Sequence, residues 1–467
     1  MKRKWILIVS TVLVVAMTIS MMLSGCKTTS TTTTAAETTA AAETTKAAET
    51  TETTTKETIE GVKKQKITVW YTTSSPVIKD YMETKYQEKF PNLEVEYSWY
   101  SSEDLKNQTR IAVESGTPPD IFAVNNGSLF WEFVDKGAVL DITKYADEKN
   151  LWERAGKDFF KLVMKDDKLY GMPHYPVTVQ GVLYVNRDIL KKCGITEDPK
   201  TVDDLIKVCN SIRKSGYQPI AFGNKDGWPA ILLMGDYFLN FDFYDMIPND
   251  DTIEKVNKGE LKWQDAEGLV KGLENVVKLA RAGVFMDGYS TSDHNAAIQT
   301  FVNGKSAFLL MGSWWISTLE KPTTDLPFDL DVIWLPRASS DGEIKGVQMA
   351  SSLSFVISSK CKNPDAAADW LDFISTKDFQ KVMCEVEQSF SIYPGLNSEL
   401  NIAPVFKKDP IIKQFDYPPT NVFFDWAFPV PVITVMKAQI QQAMDGKITV
   451  KDAIAEIQKA TDKELKK

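Results

Sequence analysis

The alternation of strand-like and helix-like segments after residue 64 constrains the fold of this chain more than any other sequence feature. Ile67–Tyr71, Leu93–Tyr97 and Asp120–Val124 are short runs of β-branched and aromatic residues. Between them, apolar residues recur at helical spacing from Pro76 to Lys89 and from Ser102 to Ser115. Strands separated by single helices pair in parallel, with right-handed crossovers. The pattern therefore predicts an α/β fold with a doubly wound sheet.

A second stretch predicts a central strand that delivers two tryptophans to the edge of a sheet. A helical stripe ends at Asn303-Gly304, where glycine accepts the left-handed conformation. Ala307–Met311 is then continuously apolar, as expected of a strand covered on both faces. Trp314 and Trp315 follow this strand, where open α/β sheets leave their ligand-binding crevice. We expect Trp314 to lie at the crevice and Trp315 to pack in the core.

The N-terminus predicts export. Three basic residues precede an apolar run at positions 5–23, as in a signal peptide. A transmembrane anchor is the alternative, since the run nearly reaches the roughly 20 residues that a membrane span needs. Leu23-Ser24-Gly25-Cys26 favours the signal peptide, because it resembles the bacterial lipobox, in which cleavage before the cysteine is coupled to lipid attachment. We therefore expect residues 1–25 to be a lipoprotein signal peptide and Cys26 to carry the lipid.

Residues 26–63 predict a tether. After Cys26 they consist almost entirely of Thr, Ala, Glu and Lys, so they bury too little apolar surface to offset chain entropy. We expect a disordered segment that holds a globular body near the extracytoplasmic face of the cell membrane.

Net charge and cysteine content limit which partners and which disulfides we expect. The chain has a formal net charge of −9 and no basic stripe, so nucleic acid is not an expected partner. Four cysteines follow Cys26, which permits two disulfides in an oxidising compartment. Cys209 and Cys384 lie in helical patterns, and we expect them to be buried thiols.

Several motifs together resemble the extracellular solute-binding proteins of family 1. They are Gly171-Met172-Pro173, the run GVLYVNRDILKKCGI at 181–195, PKTVDDL at 199–205, and the helix, Asn-Gly-Lys, apolar strand and Gly-x-Trp of the second stretch above. The likeness covers roughly residues 64–467. Family members serve sugar-importing ABC transporters, so the resemblance implies a carbohydrate ligand and ABC permease transmembrane subunits as partners. We expect a monomer that is attached to the membrane only through the lipid on Cys26.

The resemblance also implies two doubly wound α/β lobes joined by a hinge that the chain crosses three times, the type II periplasmic-binding-protein-like fold. Lobe one would hold residues 64–178 and 338–375, and lobe two residues 181–335 and 378–467. Residues 347–358 alternate in the manner of a hairpin.

Aromatic residues at strand ends are the first candidates for ligand contact, since aromatic planes match the apolar face of a sugar. By resemblance to maltodextrin-binding relatives, Trp314 stacks on the sugar. Trp228, with Asp226, follows another predicted strand at 219–222, although Trp228 could instead pack against the next helix. Trp426 matches an aromatic residue near the C-terminal end of the same relatives, but it could equally pack in the core against the neighbouring helices. Tyr71 closes the first strand.

Polar candidates complete the predicted ligand-binding set. Thr73 follows Tyr71 at the end of the first strand, where the family commonly contacts ligand. Asn125 and Asn126 follow the third strand, although asparagine also caps turns locally. Gln180 stands where relatives carry a cleft carboxylate, and this change from acid to amide would alter which sugar is held.

Enzymatic functions have little support in the sequence. The chain has two histidines, His174 and His294, and neither lies in a metal-ligand spacing or beside a serine-elbow motif. We expect no catalytic residue, metal or cofactor, and a structural or exposed role for both histidines. A surface glycan hydrolase stays open as an alternative, since acids are plentiful enough for a catalytic pair. The same fold could also hold a non-sugar solute such as a polyol phosphate or a peptide.

Overall fold

The computed structural model describes residues 65–72, 75–174, 178–179, 181–239, 251–319, 323–337, 349–350, 353–408 and 423–466. The predicted signal peptide, Cys26, the tether, Thr73 and Gln180 lie outside these ranges. The strands in chain order are β1 Gln65–Tyr71, β2 Leu93–Trp99, β3 Ile121–Asn125, β4 Met164–Lys165, β5 Lys168–Leu169, β6 Met172–His174, β7 Thr178–Val179, β8 Val182–Asn186, β9 Gln218–Ala221, β10 Ser306–Leu309, β11 Leu330–Trp334, β12 Met349–Ala350 and β13 Leu353–Ile357.

Fifteen α-helices are found in the described residues. In chain order they are α1 Pro76–Lys89, α2 Ser102–Glu114, α3 Ser128–Asp135, α4 Thr143–Glu148, α5 Lys157–Phe160, α6 Arg187–Lys192, α7 Val202–Lys214, α8 Trp228–Leu232, α9 Asp251–Lys258, α10 Glu267–Arg281, α11 His294–Val302, α12 Pro364–Ser375, α13 Lys377–Glu387, α14 Val430–Met444 and α15 Val450–Glu464. Within the described ranges, none of these helices is both long enough and apolar enough to span a bilayer.

The first sheet has five strands in the order β2-β1-β3-β13-β6. β1 pairs in parallel with β2 and β3, as the strand–helix–strand alternation predicts. β13 returns antiparallel and pairs with both β3 and β6. Ser75 starts α1 by accepting a hydrogen bond from the backbone N–H of Ile78, with proline at the first helical position. This sheet forms the framework of lobe one.

The second sheet has four strands in the order β11-β8-β10-β9 and belongs to lobe two. β10 is central, as predicted, and pairs antiparallel with β8 and parallel with β9. Its four residues are all buried. The helix before β10 ends at Asn303, and Gly304 has φ +68°, which confirms the predicted left-handed turn. The sheet is mixed rather than purely parallel, because β8 runs opposite to both of its neighbours.

β7 and β12 form a separate antiparallel pair, with Met349 opposite Val179 and Ala350 opposite Thr178. In the chain, β7 leads from the first sheet to the second and β12 leads back. The predicted hairpin at 347–358 is wrong. β12 and β13 do not pair with each other, since β12 pairs with β7 whereas β13 joins the first sheet.

Helix α13 and the residues after it pack on lobe one. The rings of Phe379 in α13 and Tyr81 in α1 lie with centroids 5.9 Å apart. The backbone N–H of Gly156 donates to the carbonyl of Ile392 at 3.1 Å. Helix α13 thus contacts lobe one, and the start of lobe two at residue 378 stays a prediction. One residue separates α12 from α13, so the apolar face of α13 completes the core that α12 already covers.

The buried strands of lobe two separate two apolar layers. Val182 and Tyr184 contribute to a core shared with the first sheet, while Leu183 and Val185 face a second core with α7, α10 and α14. This period of two is the expected result of side chains alternating across a strand. The cysteines at 193, 209, 361 and 384 are free thiols. Cys209 and Cys384 are buried, as predicted, and burial raises the pKa of both thiols.

Candidate functional site

Trp228 and Trp314 come from different strand ends and meet in lobe two. Trp228 is the first residue of α8, seven residues after β9 ends at Ala221. Trp314 lies in a 3₁₀ turn, Ser313–Thr318, just beyond β10. Because β9 and β10 are parallel neighbours, both loops leave the same edge of the sheet. The two ring centroids are 6.1 Å apart, with an interplanar angle of 53°.

Three further rings extend this pair into a continuous row. His294 lies against Trp228 at 5.3 Å, Phe423 lies edge-on to Trp314 at 6.0 Å, and Trp426 lies edge-on to Phe423 at 4.5 Å between centroids. We call these five residues the aromatic row. Trp314, Trp228 and Trp426 were all predicted for the site, and Phe423 connects Trp426 to the other two. Trp315 is fully buried against Tyr184 and Phe301, as expected of a packing residue.

A small, partly open pocket lies beside Trp228 and Trp314. Its lining is almost wholly apolar and consists of Phe222, Trp228, Pro229, Leu232, Tyr237, Leu310, Met311, Gly312 and Trp314. Ligand pockets in proteins are typically apolar surfaces with a few polar groups that set orientation. The position of this pocket, at the ends of two parallel strands, is the one expected for ligands in open α/β sheets.

Asn224 holds Trp228 in place, although it is not among the residues predicted for the site. The Asn224 side-chain oxygen accepts from the backbone N–H of Ala230 at 2.9 Å and so satisfies one of the open N–H groups at the start of α8. Its amide nitrogen donates to Gln441 of α14 at 2.5 Å. Its backbone N–H donates to the Tyr289 carbonyl at 2.7 Å. An asparagine shortly before a helix is the signal that could have indicated this role.

Polar groups lie at the rim of the aromatic row. Asp226 is partly exposed, and its Oδ2 lies 3.9 Å from Nδ1 of His294. Burial lowers the pKa of His294, while Asp226 and Asp293 act in the opposite direction. The neutral imidazole is therefore favoured at neutral pH.

Asp425 is a second carboxylate that the sequence analysis missed. It lies between Phe424 and Trp426 in the chain and is only 6% exposed. Burial raises its pKa to about 6, and the positive charges of Lys106 and Lys437 partly offset this effect. Lys106 belongs to α2 of lobe one and Lys437 to α14 of lobe two, so the carboxyl group experiences charges from both lobes.

Tyr71 is a core residue in this structure, contrary to its predicted contact with ligand. Its side chain is fully buried, and its hydroxyl lies 3.0 Å from Nε2 of His174. The ring packs against Phe355 of β13 and Trp99 of β2. It is the last residue of β1 and faces the inside of lobe one, where neighbouring strands and helices enclose it.

The loop after β3 brings lobe one against the aromatic row. Asn125 is half-buried, whereas Asn126 is fully buried and its Oδ1 accepts from Ser354 Oγ at 2.7 Å. Asn126 therefore links the loop to β13 from inside, through a tertiary contact and not through local capping. The next residue, Gly127, approaches Trp426 so closely that a Cβ on it would lie 2.5 Å from the Trp426 carbonyl oxygen. Ser128 Oγ donates to the Phe428 carbonyl at 2.6 Å.

The described residues contain no group of three or more His, Cys, Asp or Glu side chains that could hold a metal ion.

Known proteins with similar sequences and structures were compared with this chain. The family model for bacterial extracellular solute-binding proteins matches residues 70–381. An ABC transporter extracellular-binding protein of Pyrococcus horikoshii is 26% identical over 440 residues, which cover 89% of this chain and 85% of that protein. An alpha-glucosides-binding periplasmic protein of Rhizobium meliloti is 24% identical over 332 residues, or 67% of this chain and 69% of that protein.

The fold is also that of known binding proteins. A chitin oligosaccharide binding protein superposes with a TM-score of 0.75 at 19% identity, covering 86% of this chain and all of that one (100%). The two lobes are thus those of the periplasmic-binding-protein-like fold. The family and these relatives are binding proteins, with no enzyme among those compared, and they act outside the cytoplasm. With the family match covering most of its length, this chain belongs to the bacterial extracellular solute-binding proteins of family 1.

Proposed function

We propose that this protein is the extracytoplasmic substrate receptor of an ABC importer and that it binds a carbohydrate at the aromatic row. The observation that carries the proposal is the meeting of Trp228 and Trp314 beside an apolar pocket at the ends of two parallel strands. Aromatic planes bind the C–H faces of sugar rings. Two such planes at an angle can each contact a different C–H face of the ligand. The similarity to an alpha-glucosides-binding protein and to a chitin oligosaccharide binding protein supports the carbohydrate class.

The hydroxyl groups of a sugar need polar partners, because a buried hydroxyl without one is costly. Asp226 at the rim, Asp293 beside His294 and Asp425 beside Trp426 are carboxylates close to the aromatic row in the chain. Asn125 at the end of β3 would supply an amide from lobe one, and the predicted Thr73 and Gln180 belong to the same proposal. Tyr71 and Asn126 are left out, since their side chains are enclosed within lobe one.

A ligand screen tests the proposal. Purified protein is titrated with maltotriose, chitin oligosaccharides and xylo-oligosaccharides, and with a polyol phosphate and a peptide mixture. A bound sugar should change tryptophan fluorescence and raise the free energy of unfolding by about 2.7 kcal/mol at a hundredfold excess over Kd. If only the peptide mixture or the polyol phosphate gives a response, the ligand is not a carbohydrate and belongs to that other class. Release of shortened products from a bound glycan would favour a hydrolase.

Trp314→Ala tests the stacking role. Loss of a half-buried indole from the pocket should weaken sugar binding about tenfold or more, which corresponds to roughly 1.4 kcal/mol. Isothermal titration measures the change. Trp152→Ala is the matched control, because Trp152 packs edge-on to Phe160 in lobe one and lies outside the aromatic row. Equal affinities for wild type and Trp314→Ala would exclude stacking on Trp314.

The proposal includes lipid attachment at Cys26 and delivery of the sugar to the permease subunits. A single diacylated cysteine and a tether would keep the receptor close to its transporter. In cells, Cys26→Ala should move the protein from the membrane fraction into the medium and slow uptake of the bound sugar. Immunoblots of the two fractions and a labelled-sugar uptake assay measure these effects. Retention of the variant in the membrane fraction would show that the apolar run at 5–23 acts as an anchor instead.

A further inference from the structure

Gly312 lies directly beneath the edge of the Trp314 ring. A Cβ atom built on Gly312 would lie 1.9 Å from Cζ3 of Trp314, 2.3 Å from Cη2 and 2.4 Å from Cε3. These three atoms form the outer edge of the six-membered ring, and carbon atoms in proteins essentially never approach a Cβ within 3.0 Å. Any side chain at residue 312 would therefore occupy the space that the indole now fills.

The backbone gives no other reason for glycine here. Gly312 has φ −72° and ψ +163°, an extended conformation that every residue adopts without strain. Gly304, at the other end of β10, differs in this respect, since its φ of +68° favours glycine for conformational reasons. The three atoms nearest to a Cβ at residue 312 all belong to the Trp314 ring, so the ring accounts for the requirement there.

The Trp314 ring has little freedom to move elsewhere. Trp228 lies on one side with a centroid distance of 6.1 Å, and Phe423 lies edge-on at 6.0 Å. A ring displaced from Gly312 must change its angle to one or both of these neighbours, and with them the shape of the pocket that Gly312 and Trp314 line together. Trp314 is half-buried between these two rings and the pocket, so a shift of its ring alters its contact with them or the shape of the pocket.

We propose that Gly312 is a positioning residue for ligand binding: by lacking a side chain, it admits the edge of Trp314 and so sets the orientation of the stacking surface. The proposal rests on the proposed carbohydrate site and extends it to a residue that offers the ligand no side chain of its own. It also gives a physical reason for the glycine two residues before the tryptophan.

A double-mutant cycle tests this role. Gly312→Ala should lower sugar affinity about tenfold or more. In a Trp314→Phe background, whose smaller ring lacks the outer edge, the same substitution should change affinity less than twofold. Equal losses in both backgrounds would overturn the proposal, because Gly312 would then act through the backbone or through another neighbour. Unchanged affinity for Gly312→Ala alone would overturn it as well.

Two readouts need no ligand and keep this test separate from the carbohydrate proposal. Near-UV circular dichroism responds to the mutual orientation of aromatic rings, those of Trp228 and Trp314 included, and Gly312→Ala should change the spectrum in the wild-type background but not in the Trp314→Ala background. If Gly312→Ala fails to fold, Gly312→Ala/Trp314→Ala should fold, since the obstructing ring is gone. Failure of both to fold, or an unchanged spectrum of Gly312→Ala, would refute the positioning role even where no sugar binds.

Discussion

Tyr71 and Trp314 show how two aromatic residues at strand ends acquire different roles. Tyr71 is the last residue of β1 itself, so its side chain points into the layer between the sheet and its neighbours, with Phe355 at 4.8 Å between centroids. β10 ends at Leu309, and Trp314 lies beyond it in a turn that no longer pairs with the neighbouring strands. In this pair, the residue inside the strand is enclosed in the core and the residue beyond the strand is half-buried beside the pocket, whereas Trp315, also beyond β10, is fully buried.

The buried pair of Tyr71 and His174 makes stability depend on pH. Burial lowers the pKa of His174 from 6.5 to about 3 in the folded protein. Below pH 6.5 the unfolded chain binds a proton at this residue that the folded chain does not, so the free energy of unfolding should fall as pH falls. The slope from this residue should approach about 1.4 kcal/mol per pH unit. Urea unfolding at pH 7, 6 and 5 measures it.

His174→Gln provides the comparison for this pH dependence. Glutamine cannot titrate, and its amide can reach the position of Nε2 near the Tyr71 hydroxyl. The slope between pH 6.5 and 5 should become smaller than in wild type. Burial also lowers the pKa of His294, which makes stability fall with pH in the same direction. Some dependence of the free energy of unfolding on pH should therefore be left in the variant. Identical slopes in wild type and variant would mean that His174 is protonated in the folded protein.

At the scale of elements, the loop between β9 and α8 connects the sheet to the candidate site. Asn224 links this loop to α8 through Ala230 and to α14 through Gln441. Asn224→Ala should lower the free energy of unfolding by about 1–2 kcal/mol, because a helix-start N–H loses its acceptor and a buried contact is lost. Sugar affinity should fall as well, since Trp228 is the first residue of that helix.

Asn363→Ala is the matched control for this experiment. Asn363 precedes α12 but makes no side-chain hydrogen bond to the start of that helix, and its amide donates to exposed Gln65. Chemical denaturation should show a change within about 0.5 kcal/mol, with unchanged affinity. Equal effects of Asn224→Ala and Asn363→Ala would contradict the role of Asn224 in placing Trp228.

The elements of the fold were largely predictable from local patterns. The parallel pairing of β1 with β2 and β3, the central place of β10 and the left-handed turn at Gly304 follow from periodicity and glycine chemistry. The antiparallel direction of β8 does not, because a strand buried on both faces has the same composition in either direction. The two-residue strands β7 and β12 are too short to have a period, which is why residues 347–358 were mistaken for a hairpin.

The candidate site was predictable only in part, for a related reason. Trp314 and Trp228 each follow a strand, and parallel neighbours place their ends together. Phe423 lies at the start of a 3₁₀ turn, and His294 is the first residue of a helix. Neither follows a strand of the sheet, so their contact with the tryptophans depends on tertiary packing. Burial likewise separates Tyr71 from the site, and no local pattern gives the burial of a single side chain.

At the scale of the whole molecule, the two lobes touch at the segment that carries Trp426. Ser128 of lobe one donates to the Phe428 carbonyl, and Glu103 of lobe one lies 3.7 Å from Lys437 of lobe two. Within lobe two, Asn257 donates to the Ala427 carbonyl at 2.8 Å. The segment is thus held from both sides, and contact between the lobes is adjacent to the aromatic row.

Ser128→Ala should weaken sugar binding without altering any side chain of the aromatic row. A hydroxyl–carbonyl hydrogen bond contributes about 0.5–1.5 kcal/mol, so we expect a loss of about two- to tenfold in affinity, mainly through faster dissociation. Stopped-flow fluorescence measures both rates. Ser398→Ala removes a hydroxyl that bonds the Gly395 carbonyl within one turn, and should have no effect. Equal dissociation rates for Ser128→Ala and wild type would show that this contact does not stabilise the bound form.

The pairing of β7 with β12 has a mechanical consequence. Two separate linkers would let the lobes swing and twist in many directions, whereas two strands joined by backbone hydrogen bonds behave as a ribbon. A ribbon resists bending within its own plane and bends easily across it. We expect relative motion of the lobes to be confined largely to one rotational direction. Each closure should then return Gly127 to the same place on the backbone of Trp426, so that the hinge also keeps the lobes aligned.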